Sequence, residues 1–174
     1  MKIEVRQDGA LTAAEREYIH RWSGEIFGAE VDQWAAQYKW SDVDWHVLVW
    51  DDGEIASHVE IVDRTGTVDG RPVRLGGIGG VATATAWRGR GLAAAAVARA
   101  GAFMRGEMGV EFGLLICAPE MVGYYGRLGW QEVAGSLLVD QPGGKVTLDT
   151  PVMVLPCQGG AWPGGVIDLC GPPW

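Results

Sequence analysis

Apolar and polar positions alternate through "MKIEVRQ", which predicts a short first strand. The period then lengthens. Ala13, Tyr18, Trp22 and Phe27 form an approximate helical stripe in "LTAAEREYIHRWSGEIFG". Thr12 stands at the N-cap, Glu15 at the capping-box offset, and Gly28 is the expected stop. Residues 29–45 are acidic and rich in tryptophan, with a short second helix predicted around "DQWAAQY". Such a segment is a natural place for variable binding contacts. Period two returns in "WHVLVW" and "EIASHVEIVDR", joined by the hairpin signal "DDG". "TVDGRPV" supplies the next turn. "RLGGIGGVATATA" reads as a third strand whose four glycines predict a bulge or a close backbone approach. An alanine-rich helix is expected over roughly 89–107. Then follow a buried strand, "EFGLLICA", and a short helix, "PEMVGYYGRLGW", with Pro119 near its first turn and Gly129 near its end. The stretch after it folds back as a hairpin at "QPGG". The tail, 156–174, is rich in Gly and Pro, yet Trp162, Val166, Ile167 and Trp174 predict that it packs.

This order predicts one mixed α/β (α+β) domain with a single sheet over residues 1–174. A content of 48% hydrophobic and 21% charged residues fits an ordinary globular protein. No apolar run is long enough for a membrane span, and the N-terminus lacks a secretory core, so a cytoplasmic location without membrane partners is expected. Cys117, Cys157 and Cys170 are odd in number and scattered, which predicts buried thiols rather than disulfides or a zinc site; no metal is expected. A net charge of −8 argues against a nucleic-acid partner. It suits a cationic small molecule, or simply solubility. Trp34, Trp40, Trp45 and Trp50 interleave with Asp32, Asp42 and Asp44. They read either as an aromatic, acidic wall for a cation or as core and rim aromatics.

The connection "AWRGRGLAAAAVARA" carries the most chemistry. Gly89, Gly91 and Ala94 satisfy a dinucleotide spacing, with Glu111 as the ribose acid. Against this, Trp87 and Arg88 separate the strand from the first glycine, and Glu111 precedes its strand. The second pattern is Arg/Gln-x-x-Gly-x-Gly/Ala, matched by Arg88, Gly91 and Ala93. Its backbone N–H groups and the following helix N-terminus suit a pyrophosphate, with Arg88 and Arg90 as charged donors. A glycine-rich connection with solvated arginines is the third reading.

The segment "GGVATATAWRGRGLAAAAV", followed by "GYYGRLGW", resembles the GNAT superfamily of N-acetyltransferases. The resemblance implies the GNAT fold, a mixed, mostly antiparallel sheet with splayed strands flanked by helices. It also implies acetyl-CoA as cofactor, its pyrophosphate held by Arg88, Gly89, Arg90, Gly91, Leu92 and Ala93. Strand residues Val81, Ala82 and Thr83 would offer backbone groups to pantetheine and the thioester carbonyl, an oxyanion-hole role. Tyr125, with Tyr124, Gly129 and Trp130, matches the segment near the coenzyme sulfur, which implies a general acid. More narrowly, "HVLVWDDGEIASHVEIV", "YYGRLGW" and a tail ending "VIDLCGPPW" look like aminoglycoside 2'-N-acetyltransferases, and "VMVLPCQGGAWPGGVIDLCGP" looks like the nodulation N-acyltransferase. Both act on amino sugars. One position departs: Gly79 stands where the aminoglycoside enzymes carry an acidic residue.

Period two places His58 and Glu60 on one strand face, His58 to relay a proton and Glu60 to anchor the ammonium, or His58 as a structural histidine. Asp168 and the Trp174 carboxylate face the substrate in the relatives it resembles. Asp32, Asp42 and Asp44 are candidates for the same role. The expectation is an acyl-CoA N-acyltransferase acting on the primary amine of a small molecule, an aminoglycoside or other amino sugar. The alternatives are a protein or peptide N-acetyltransferase, a non-catalytic sensor that binds acyl-CoA or a cationic ligand and, more remotely, a nucleotide-dependent oxidoreductase. Homodimers are common in the superfamily it resembles.

Overall fold

The computed structural model describes the backbone of residues 1–174 and every side chain except those of residues 23–25 and 27–32. Its elements run β1 (Lys2–Gln7), α1 (Ala13–Ala35), β2 (Trp45–Asp51), β3 (Glu54–Val68), β4 (Arg71–Thr83), α2 (Leu92–Phe103) and β5 (Phe112–Ile116). After these come α3 (Val122–Arg127), β6 (Gln131–Val133), β7 (Leu137–Gln141), β8 (Gly144–Leu148), β9 (Val152–Pro156) and β10 (Ile167–Asp168). All strands join one curled sheet of order β6-β9-β5-β4-β3-β10-β7-β8, with β2 and then β1 on the other arm of β3. Pairing is antiparallel except β4–β5 and β7–β10. The mixed, mostly antiparallel sheet is as the sequence predicts.

Local chemistry sets the turns. Asp52 and Gly53 have φ of 49° and 83°, Asp69 and Gly70 have 46° and 76°, which is the left-handed pair that a tight hairpin requires. At α1 the Thr12 hydroxyl caps the Glu15 N–H at 3.2 Å, and Glu15 answers the Thr12 N–H at 2.8 Å. The helix does not stop at Gly28. It runs on to Ala35 and absorbs the separate helix expected at "DQWAAQY", since an internal glycine costs only about 1 kcal/mol. Conversely, α2 starts later than expected, because Gly89 and Gly91 both take φ of 76°. It ends in a π turn at Met104–Met108.

One sheet face carries Val47, Val49, Val59, Ile61 and Ile78 against Ala96, Val97, Ala100 and Phe103 of α2. The opposite face is closed at one end by α1, through Leu11, Ile19 and Trp22 on Leu48 and Ala82. At the other end the β7–β8–β10 arm and Trp174 cover Val62, Leu75 and Leu114. In the tail Ile167, Leu169 and Trp174 are buried and Trp162 is half-buried, whereas Val166 is exposed. Among the described residues no helix is long and apolar enough to cross a membrane.

Two irregularities create the working region. The parallel β4–β5 ladder runs only from Leu75↔Phe112 to Ile78↔Leu115, while β4 continues to Thr83. Residues 79–83 therefore leave β5 behind, and the strands splay. On the other side, His58 pairs with Ala82 and Glu60 with Gly79, so Gly80 and Val81 together oppose Val59. This is a β-bulge, and Gly80 takes φ of 54° to form it. A Cβ on Gly80 would lie 2.6 Å from the Glu60 carboxyl carbon and would push that side chain aside, and the left-handed φ there favours glycine whatever the space.

Candidate functional site

The splay leads directly into the phosphate-type loop. β4 passes through a single 3-10 turn, Thr85–Trp87, into Arg88–Gly91 and then α2. Gly91 is the N-cap, and the first helical bond runs from the Ala95 N–H to its carbonyl. The N–H groups of the first turn therefore have no helical partner and carry the positive end of the helix dipole. A Cβ on Gly89 or Gly91 would meet nothing within 4 Å, so the loop faces open space. Arg88 is exposed and reaches back to the Thr83 carbonyl at 3.4 Å. Arg90 instead pairs with Asp51 at 2.6 Å, which fixes the loop to the end of β2. Leu92 is buried under the helix start and Ala93 is half-buried. Upstream, the Ser57 hydroxyl donates to the Ala82 carbonyl at 2.8 Å, while Val81 and Thr83 are half-buried.

β5 delivers Cys117 and α3 beyond the splay. Tyr125 is buried, with Tyr124 and Trp130 rings 5.1 and 6.5 Å away. Burial pushes its hydroxyl above the usual phenol range. Cys117 is pushed up to about 11, chiefly by burial, so it is a thiol at neutral pH.

On the opposite face, a cleft of about 550 Å³ opens beside the bulge, lined by Asp8, Arg16, Glu17, Asp42, His46 and Glu60 among others. Burial, then the charge of Asp8, raises the Glu60 carboxyl above its usual value. Behind it lies a hydrogen-bonded chain. His58 Nε2 is 2.7 Å from His46 Nδ1, and His46 Nε2 is 2.9 Å from Asp8 Oδ1. The two rings stack, 5.0 Å between centroids. Arg16 and then His46 pull the Asp8 carboxyl down to about 2. Burial lowers both imidazoles, His58 to about 3, with a hydrogen bond to the Gly80 backbone acting the other way. With Asp8 ionised and accepting only, His46 donates from Nε2, and its Nδ1 then accepts from His58 Nε2–H. Donor atoms of His46, His58 and Glu60 lie within 4.8 Å of one another. The facing nitrogens are at hydrogen-bond distance, whereas two nitrogens on one tetrahedral zinc stand roughly 3.3 Å apart.

The structure brings His58, Glu60 and Asp42 to this region and sends others elsewhere. Asp44 accepts the Asp63 N–H at 2.8 Å and donates its own N–H to Ile61, so it anchors the entry to β2. Asp168 sits opposite Thr67, some 23 Å along β3 from Glu60 at 3.3 Å per residue. There it accepts from Lys145 and the Cys170 N–H. Asp168 is a structural anchor, not a cleft residue. The Asp32 side chain lies outside the described residues. Trp174 lays its indole over Gly77, and its main-chain carbonyl carbon comes within 2.9 Å of where a Cβ on Gly79 would stand, close to Glu60. The four tryptophans form no common wall. Trp34 and Trp40 cluster with Tyr38, Trp45 packs on Phe103, and Trp50 donates to Glu4. Sequence reasoning missed His46 and Asp8. His46 faces Glu60 only because a bulge between Val49 and Trp50 shifts the register by one; counting back along the "DDG" hairpin would set it opposite Val59. Asp8 lies in a turn after β1, and no periodicity points to it.

The family described as "Acetyltransferase (GNAT) domain" matches residues 9–133. Among solved structures, the fold is similar to the GNAT family N-acetyltransferase YhbS of Escherichia coli in complex with CoA. That match has a TM-score of 0.64 and 18% identity, covering 97% of this chain and 90% of that one. It is also similar to a GNAT family acetyltransferase of Brucella melitensis in complex with acetyl-CoA, at TM-score 0.59 and 15% identity over 95% and 94% of the two chains. An acyl-CoA N-acyltransferase of Pseudomonas aeruginosa gives TM-score 0.58 and 22% identity over 88% and 96%.

Proposed function

The chain belongs to the GNAT acetyltransferase family, and from that premise we propose that it moves an acetyl group from acetyl-CoA to the primary amine of a small cationic acceptor, an aminoglycoside or another amino sugar. The carrying observation is the acidic cleft against the β4 bulge, with Glu60 pressed onto Gly80.

The donor side fits acetyl-CoA on its own geometry. Open space around Gly89 and Gly91, the unpaired N–H groups of α2 and the exposed Arg88 suit a pyrophosphate. The stretch of β4 that has left β5 offers backbone N–H groups, from about Val81 and Thr83, to pantetheine and the acyl oxygen. When bound, the thioester supplies an activated acyl carbon. The chain must supply a neutral amine and a proton for the departing thiol. Glu60, whose carboxyl burial makes more basic, takes a proton from the ammonium. Tyr125 Oη holds the proton that the thiol needs, and its raised pKa keeps that proton in place at neutral pH.

Carboxylates of Asp8, Glu17, Asp42 and Glu60 face the same opening as Arg16 and His20. Arg16 is already committed to Asp8, so the surplus is negative and favours a polycation.

The test is free-thiol release from acetyl-CoA with a panel of aminoglycosides, glucosamine-type sugars, polyamines and peptide amines. Turnover on amino sugars is expected. Turnover confined to peptide amines, or CoA binding with no turnover on any amine, overturns the proposal.

A further inference from the structure

Acylation of an ammonium releases one net proton: R–NH3+ and acetyl-CoA become the amide, CoA thiol and H+. Glu60, the group proposed to take that proton, is half-buried against Gly80 and must lose it before the next turnover. The geometry points to the His46–His58 pair as the proton exit from Glu60, with Asp8 as the positioning residue that orients it and opens it to solvent. This deepens the proposed acyltransfer and rests on it.

Three observations carry the inference. First, the pair adjoins Glu60: donor atoms of His46, His58 and Glu60 lie within 4.8 Å, one water apart or less. Second, the Asp8 end is the one open to solvent: His58 is 1% exposed, while the Asp8 side chain is 38% exposed. Third, the chain is one hydrogen short. It runs between two acceptors, the Gly80 backbone and the Asp8 carboxylate. Its three gaps hold three hydrogens, yet two neutral imidazoles bring only two. The pair therefore has a built place for one transient proton. Burial opposes lasting occupancy, which suits a carrier rather than a store.

The step balances. The ammonium N–H breaks and a Glu60 O–H forms. That proton passes to an imidazole nitrogen of the pair, and the pair releases one proton from His46 Nε2 past Asp8 to water. The charges facing His46 are Asp8 after β1, Arg6 on β1, Arg16, Glu17 and His20 on α1, Asp42 before β2, and His58 and Glu60 on β3. β4 sets Gly79 opposite Glu60 and Ala82 opposite His58, with the Gly80 bulge between them, and none of the three carries a charge.

The experiment compares the full-length protein with Asp8→Asn and His46→Gly, using whichever amine the screen identifies. Asp8→Asn is expected to lower kcat on the order of 10²-fold with little change in KM. It should also shift the acidic limb of the pH–rate profile and raise the solvent deuterium isotope effect. Added imidazole is expected to restore part of the His46→Gly activity. A wild-type profile and isotope effect in Asp8→Asn, or His46→Gly that imidazole leaves unrestored, overturns the inference. So does loss of activity on chelation with recovery on added zinc, which would make the cluster a metal site. A wild-type protein inert towards every amine defeats the proposed function instead. In that event imidazole ¹⁵N spectra still decide the relay: Asp8→Asn must change the hydrogen placement on His46 and His58, and unchanged spectra overturn it.

Discussion

The indole of Trp174 occupies the volume in which a side chain at position 77 would stand: a Cβ on Gly77 would overlap the ring. The indole N–H donates to the Leu114 carbonyl at 3.2 Å, and the Arg64 guanidinium lies 5.2 Å above the ring. Arg64 also donates to Ser41 and to the Pro172 carbonyl, so the tail is pinned from three sides. Gly77→Ala is therefore expected to cost about 1–3 kcal/mol through overpacking. In the Trp174→Ala background the same change should cost almost nothing, since the obstructing ring is gone. Thermal melts of the two singles and the double read this directly, and additive losses would contradict it.

The donor loop makes a second prediction. Gly91 faces open space but holds φ of 76°, so Gly91→Ala removes no contact and only strains the backbone, by about 1–2 kcal/mol. Arg88→Ala removes an exposed charge and leaves the fold intact. Both are expected to raise KM for acetyl-CoA on the order of 10-fold while leaving KM for the amine unchanged. Steady-state kinetics with each substrate varied in turn checks it.

Much of this architecture is legible in short-range chemistry. "DDG" and "VDG" name their hairpins because only left-handed pairs close them, and Thr12 with Glu15 names the start of α1. The loop after β4 is legible for the same reason, since its glycines and arginines act within six residues. The acceptor side is not. Asp168 and Asp44 look like substrate carboxylates until register places one beside Lys145 and the other under the Asp63 N–H. The tryptophans are close in sequence, but α1 continues past Gly28 and alternation along β2 sends Trp45 to the opposite face from His46. Which carboxylates converge is a property of strand pairing and bulge position, and a one-residue slip reverses it.

Tyr125→Phe isolates the proton at the sulfur. The change keeps the buried ring against Tyr124 and Trp130, so the melting temperature should move little. If the hydroxyl protonates the leaving thiolate, kcat falls by about 10²–10⁴-fold with KM for acetyl-CoA unchanged. Because burial raises this phenol above its usual range, wild-type activity should not decline through its ionisation up to about pH 10. An equal loss in kcat and in thermal stability would mark Tyr125 as a packing residue.

Acid should weaken the fold in two separable steps. His58 is fully buried and its pKa falls to about 3, so the folded protein prefers the neutral ring. Below about pH 6.5 the unfolded chain takes up a proton that the folded chain refuses, so stability falls as pH drops towards the folded value. The slope from one such group is at most about 1.4 kcal/mol per pH unit. Asp8 acts lower. Its pKa, drawn down to about 2 by Arg16 and His46, contributes stability present above the ordinary carboxylate range and lost as pH falls from there towards 2. His58→Gln is thus expected to be less stable than wild type at pH 7.5 yet to lose less between pH 6.5 and 4.5. Asp8→Asn removes the carboxylate that holds the His46 pKa up against burial, so its slope over that upper window should be at least as steep as wild type, flattening only below it where Asp8 itself titrates. Urea midpoints at half-unit pH steps distinguish the two, and parallel wild-type and His58→Gln curves would mean that His58 carries its proton in the folded protein.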